Sequence, residues 1–197
     1  KANVEAEYMK RRTINIEEKK AIARLAASFV EDGDALYIDL GSTTYFFAQA
    51  IKTKKNLTVI TNSLPIAIEL SSSPEIKVIL PGGIIRNGEL SLSGPISMKG
   101  LDEIYVDKAF IGVAGVAIKS GFTNIHLGEA EVTKKMLQNS QLKVVLADYA
   151  KFNTTTMVRV AKISDIDLLI TDWKAPAEIL AEIREHGVKV KVAEEKK

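Results

Sequence analysis

The stretch Leu36-Tyr37-Ile38-Asp39-Leu40-Gly41-Ser42-Thr43-Thr44, continued by Tyr45-Phe46-Phe47-Ala48, decides how this chain is read. An apolar run breaks at a glycine, presents three hydroxyl residues and resumes at helical spacing. That is the pattern of a buried strand, a tight turn and a helix start. The first amides of a helix lack intrahelical partners and sit at the positive end of its dipole, so the turn Gly41, Ser42, Thr43, Thr44 is a candidate phosphate site. Ser42 or Thr43 would serve equally as an ordinary helix cap.

The same plan recurs around it. Residues 57–60 read as a strand, Thr61-Asn62-Ser63 as a polar turn, and 64–70 as a helix capped by Ser63 with Pro65 in its first turn. A third strand, 76–80, ends at Pro81-Gly82-Gly83. Upstream, Asn15 and Glu18 have capping-box spacing, and Ile22, Leu25, Ala26 and Phe29 fall on one helical face ahead of a stop near Asp32-Gly33-Asp34. Downstream, strands are expected at 108–113, 142–147, 158–160, 168–170 and 188–192, and helices at 97–104, 129–138 and 177–185. Residues 84–95 are irregular, with Asn87-Gly88 a hairpin-turn candidate. Strands that end in polar turns and lead into helices predict an α/β three-layer sandwich with a mainly parallel, Rossmann-like sheet. Its ligand site should lie beyond the carboxyl ends of the strands.

Composition narrows the function. A chain of 197 residues, 46% hydrophobic and 26% charged, has the balance of one globular domain. No apolar run approaches the roughly 18 residues of a membrane span and no signal-peptide pattern opens the chain, so a cytoplasmic location without membrane association is the expectation. There is no cysteine, and His126 and His186 are the only histidines, which disfavours disulfides and histidine- or thiolate-rich metal centres. A net charge of +2 provides little overall attraction for nucleic acid. Residues 1–13 carry the cluster Lys10-Arg11-Arg12 without an apolar period and read as a linker, a basic arm or a solvated end.

In a parallel sheet the turns at 41–44, 61–63, Gly82-Gly83, 113–121 and 148–151 converge on one edge. Together they offer backbone amides, hydroxyls, carboxamides and Lys151, a set suited to a phosphorylated polyol. Lys151 is equally readable as a surface lysine after a strand. Asp39 and Asp148 end apolar strands, where a carboxylate is costly unless it caps or functions. His126 and Glu129 flank a helix start; His126 reads as solvent-facing, and Glu129 suits the dipole whatever its role. Enzymatic signatures are missing: no G-x-G-x-x-G after the first strand, no Walker loop, no G-x-S-x-G elbow.

The succession Glu18-Lys19-Lys20-Ala21-Ile22-Ala23, Asp39 through Thr44, Thr58-Val59-Ile60-Thr61-Asn62-Ser63, Pro81-Gly82-Gly83, Ser93-Gly94-Pro95, Ala109-Phe110-Ile111-Gly112-Val113-Ala114-Gly115-Val116, Gly121-Phe122-Thr123 and Ala147-Asp148-Tyr149-Ala150-Lys151-Phe152 resembles the C-terminal effector domain of DeoR-type bacterial transcriptional regulators. The resemblance implies a fold similar to ribose-5-phosphate isomerase. It implies residues 1–14 as the linker from a missing N-terminal helix-turn-helix, and 15–197 as the effector-binding domain. It implies Gly41 to Thr44 and Thr61, Asn62 and Ser63 on a phosphate, with Gly82, Gly83, Glu129, Asp148 and Lys151 towards the sugar. The implied partners are a phosphorylated sugar, operator DNA through the missing domain, and further copies of the chain as a dimer or tetramer, with no cofactor or metal.

The isomerase's acidic run is replaced here by Gly112-Val113-Ala114-Gly115-Val116, which holds no base for an enediol step. Many relatives carry a lysine where this chain has Thr133. The sequence therefore points to a sensor module of a regulator, a repressor by resemblance, rather than an enzyme. A sugar-phosphate isomerase is the alternative, and an interaction domain with a vestigial pocket a third reading.

Overall fold

The computed structural model describes residues 8–195. In chain order its elements are α1 (Tyr8–Arg12), α2 (Ile16–Ala27), β1 (Ala35–Ile38), α3 (Ser42–Ala50), β2 (Leu57–Thr61), α4 (Leu64–Ser71), β3 (Ile76–Ile79), β4 (Ile84–Arg86), β5 (Ser91–Ser93), α5 (Pro95–Leu101), β6 (Val106–Gly112), β7 (Gly115–Ala117), β8 (Gly121–Asn124), α6 (Leu127–Gln138), β9 (Ser140–Leu146), β10 (Val158–Ala161), β11 (Leu168–Asp172), α7 (Ala177–Glu185) and β12 (Lys189–Ala193). Seven strands form one sheet in the order β12-β11-β9-β6-β1-β2-β3, every pairing parallel. The small antiparallel sheet β10-β8-β7 and the hairpin β4-β5 complete the fold.

The central strands are apolar on both faces, as a sheet covered by helices requires. Leu36, Ile38, Phe110, Val144 and Leu146 pack with α2, α3 and α4, whereas Tyr37, Ala109, Ile111 and Val145 pack with α5, α6 and α7. This period-two partition creates two cores, one per face. Phe47 of α3 meets Phe110 of β6 with ring centroids 4.2 Å apart, fastening the helix over the middle of the sheet.

The topology places the site. From β1 the chain adds β2 and β3 on one side, then returns to add β6 and β9 on the other. Connections after β1 and β6 consequently diverge to opposite faces and leave a crevice at their carboxyl ends, where such folds bind ligands. Gly112 ends β6 at this point; a Cβ there would lie 3.2 Å from the carbonyl oxygen of Leu40, so glycine permits the two strand ends to approach.

Four local readings change. Asn15 precedes α2 with a left-handed φ of 54° and makes no side-chain cap; its amide donates instead to Asp148 Oδ1 at 3.2 Å, while Glu18 pairs with Lys174. Gly41, not Ser42 or Thr43, is the residue ahead of α3, at φ 143°. The irregular 84–95 segment contains the hairpin β4-β5, whose turn includes Asn87-Gly88. Within the expected linker, Tyr8–Arg12 is helical with Tyr8 buried, because one aromatic ring and cation–π contacts replace an apolar stripe. The rest of that reading, residues 1–7, lies outside the described residues. Ser63 caps α4 as expected, accepting from Ile66 N at 3.5 Å. Among the described residues no helix is long and apolar enough to cross a membrane.

Candidate functional site

A cavity of about 310 Å³ opens at the β1/β6 crevice. One side is the first turn of α3, Gly41, Ser42 and Thr43, together with Leu40. The first intrahelical bond runs from Tyr45 N to Gly41 O at 3.1 Å, so the amides before Tyr45 have no partner in the helix and face the cavity end of its dipole. Gly112, Val113 and Ala114 continue from β6 on the opposite side; Asn124 and Ile125 follow β8, and Glu129 projects from α6. Lys151, in the 3-10 turn after β9, lines the cavity with Thr154 and Thr156, and Arg11 and Ile14 close it from the N-terminal side.

Charge is unevenly distributed around this space. Among the described residues Lys151 Nζ makes no hydrogen bond or ion pair, so its charge is directed at whatever fills the cavity. Behind it, Lys19 is buried and its ammonium donates to the carbonyls of Arg11 and Ile14 at 2.7 and 2.6 Å. Burial lowers its pKa to about 8, although Asp148 pulls the other way. The one carboxylate on the wall, Glu129, is compensated: Arg86 donates to Oε2 at 2.9 Å and the Ser91 hydroxyl donates to Oε1. The hairpin thereby sets Glu129's orientation while leaving the wall as a whole cationic.

Beneath the turn lies a polar network. Asp39 is fully buried and accepts from Tyr37 OH at 2.9 Å and from Thr133 Oγ1 at 3.0 Å. Burial pushes its carboxyl up to about 7, with Glu129 adding to the rise and the hydrogen bonds opposing it. Thr133 is a buried hydroxyl bonded also to the Glu129 carbonyl at 3.0 Å.

Of the expected residues, Gly41, Ser42, Thr43, Glu129 and Lys151 meet in the cavity. Thr44 is buried behind them with its hydroxyl on Gly41 O. Thr61, Asn62 and Ser63 do not reach the cavity wall. Thr61 Oγ1 accepts from Ser63 N, Asn62 Oδ1 accepts from Tyr37 OH at 3.0 Å, and Ser63 caps α4. Strand β2 lies on the far side of β1 from β6, which displaces its turn from the crevice. Gly82 and Gly83 also fall elsewhere. They let the β3–β4 connection press on α5, where a Cβ on Gly83 would lie 2.1 Å from Ser97 Oγ. Asp148 caps the turn that carries Lys151, accepting from Ala150 N at 3.1 Å, and supports the site from behind.

Arg11, Asn124, Thr154 and Thr156 were not singled out from the sequence. Arg11 belongs to a cluster whose sequence reads as a linker, a basic arm or a solvated end, and the threonines have no distinctive local pattern; only the fold brings them to the wall. His126 is exposed ahead of α6 and caps nothing. Among the described residues no cluster of three or more His, Cys, Asp or Glu is placed to hold a metal ion.

With this geometry in hand, the family described as DeoR C terminal sensor domain matches residues 14–173. The chain is 36% identical over 180 residues to the HTH-type transcriptional repressor GlcR of Bacillus subtilis (strain 168), covering 91% of this chain and 69% of that protein. It is 25% identical over 191 residues to the glycerol-3-phosphate regulon repressor of Escherichia coli (strain K12), covering 97% and 76%. The fold is similar to that of ribose 5-phosphate isomerase from Plasmodium falciparum, with a TM-score of 0.51 at 15% identity over 69% of this chain; the match spans about half, 52%, of that isomerase chain.

Proposed function

The chain belongs to the DeoR family of transcriptional regulators, over its C-terminal sensor domain, and we propose that its β1/β6 cavity binds a phosphorylated sugar or polyol that controls operator binding. The carrying observation is that α3 amides without a partner among the described residues, and Lys151, line one space of about 310 Å³, with Arg11 of α1 on its wall. A phosphate satisfies amides and dipole together, and each charge-assisted bond contributes roughly 1.5–3 kcal/mol net. Glu129, held by Arg86 and Ser91, accepts from sugar hydroxyls, and Asn124 and Thr156 supply further polar contacts. The reading draws support from a relative named for the glycerol-3-phosphate regulon.

The chemistry needed for isomerisation is not assembled on this wall. Gly112 and Ala114 on the wall carry no side-chain base, and Glu129 is already engaged by a guanidinium and a hydroxyl. We therefore read the site as a sensor. Operator DNA would be contacted by an N-terminal helix-turn-helix, in an oligomer of two or four copies located in the cytoplasm. Exposed Ile84, Ile85, Leu90 and Ile96, on and beside the hairpin, are consistent with burial between copies. To drive a regulator from 1:99 to 99:1 the effector must favour one state by about 5.5 kcal/mol.

Isothermal titration calorimetry of this chain with glycerol 3-phosphate, ribose 5-phosphate, hexose phosphates and their unphosphorylated counterparts tests the reading. At least one phosphorylated compound is expected to bind, with its counterpart weaker by about 100-fold, equivalent to roughly 2.7 kcal/mol. Absence of binding across the panel by folded protein would refute it.

A further inference from the structure

Resting on the reading of the cavity as an anion pocket, we infer that Arg11 is a ligand-binding residue that exchanges the Glu89 carboxylate for the anionic group of the bound metabolite, so that α1 registers whether the pocket is occupied. Arg11 lines the cavity yet belongs to α1, which precedes the parallel sheet in the chain. Its guanidinium forks onto Glu89 in the β4–β5 turn, donating from Nη1 to Oε2 at 3.0 Å and from Nη2 to Oε1. The two side chains are 14% and 3% exposed. At a cavity wall that receives a phosphate, the phosphate competes with Glu89 for this guanidinium, because it presents the same bidentate geometry as a carboxylate with more charge.

The carrier of this side chain is fastened to the anion turn itself. Arg12 lies 3.8 Å from the centroid of the Tyr45 ring, and Tyr45 is in the first turn of α3. Lys19 Nζ ties the carbonyls of Arg11 and Ile14 to α2. Tyr8 is the one residue of α1 that is buried. Among the described residues α1 is held by the Tyr8 ring, the Arg12 stack, the Lys19 ammonium and the Arg11–Glu89 fork, and these five residues move at far less cost than a sheet whose strands share two cores. Binding at α3 and Lys151 consequently changes the partner of Arg11 first and the position of α1 second.

Inorganic phosphate is the probe, with chloride at matched ionic strength as control, and the protein is the 197-residue chain. In hydrogen–deuterium exchange, phosphate is expected to protect 41–46 and to alter exchange across 8–15 by about threefold, with Arg11→Lys, which keeps the charge but not the fork, losing only the second effect. In a phosphate titration, Glu89→Gln removes the rival charge and should tighten binding about fivefold, whereas Arg11→Ala should weaken it about tenfold. Opposite signs are the signature of competition. If both substitutions act in the same direction, or neither acts, Arg11 and Glu89 are a structural pair and the inference is overturned. Protection at 41–46 with none of the change at 8–15 overturns it and leaves the pocket reading standing; no phosphate effect at 41–46 overturns both.

Discussion

Asp39→Asn isolates an electrostatic cost built into the end of β1. The carboxylate is fully buried, which raises its pKa; two neutral donors, Tyr37 OH and Thr133 Oγ1, oppose the rise and the Glu129 charge adds a little to it. Its pKa of about 7 in the folded protein stands well above the roughly 3.9 of an aspartate in an unfolded chain. The native state therefore holds a proton that the unfolded state has released. Stability from this group is complete below pH 4, falls as pH rises towards 7 and levels off above, a loss of about 4 kcal/mol in all.

Asparagine has the shape of the protonated acid. Its Oδ1 can accept from Tyr37 while its Nδ2 donates to Thr133 Oγ1, whose own proton then turns to the Glu129 carbonyl. Between pH 5 and pH 8 the variant should gain about 3 kcal/mol relative to the parent chain. Urea unfolding at pH 5, 6, 7 and 8, followed by circular dichroism, measures this difference. Lys19, whose pKa is lowered to about 8, titrates in both proteins and cancels. A difference that does not grow with pH, or an asparagine variant less stable at pH 8, would refute the reasoning.

Lys151→Met should weaken binding of the best sugar phosphate by at least about tenfold with an unchanged urea midpoint, since its ammonium has no partner in the fold to lose; calorimetry and unfolding separate the two. Ser63→Ala removes the α4 cap and should cost about 1 kcal/mol of stability while leaving that affinity intact; a large affinity loss would return the 61–63 turn to the binding site. Gly83→Ala places a Cβ 2.1 Å from Ser97 Oγ and 2.6 Å from the Ser93 carbonyl at φ 123°, so a loss of about 2 kcal/mol or more is expected in thermal unfolding, again without an effect on sugar-phosphate affinity.

Thr61-Asn62-Ser63 repeats the strand–turn–helix chemistry of Gly41 to Thr44, and from composition the two turns are equivalent. They differ because β1 has β6 beside it at the crevice and β2 has β3, a matter of strand order that no local pattern carries. Gly82 and Gly83, expected towards the sugar, lie outside the cavity lining and let the β3–β4 connection pack against α5. Conversely Arg11 sits in a basic cluster that reads as a linker, an arm or a solvated end, and its pairing depends on Glu89, 78 residues away.

What the sequence by itself determined is the set of local choices. Strands with apolar runs on both faces, turns that present glycine and hydroxyls, and helices with one apolar stripe follow from side-chain period and backbone preference within a few residues. These choices dictated a covered parallel sheet and made the Gly41 turn a helix N-terminus facing its open end. Tertiary structure alone decided which turns share a cavity, which carboxylates are buried without a cation and which polar residues are spent inside the fold. Those outcomes depend on distances between segments far apart in the chain, and therefore on strand order and on the two cores that hold it.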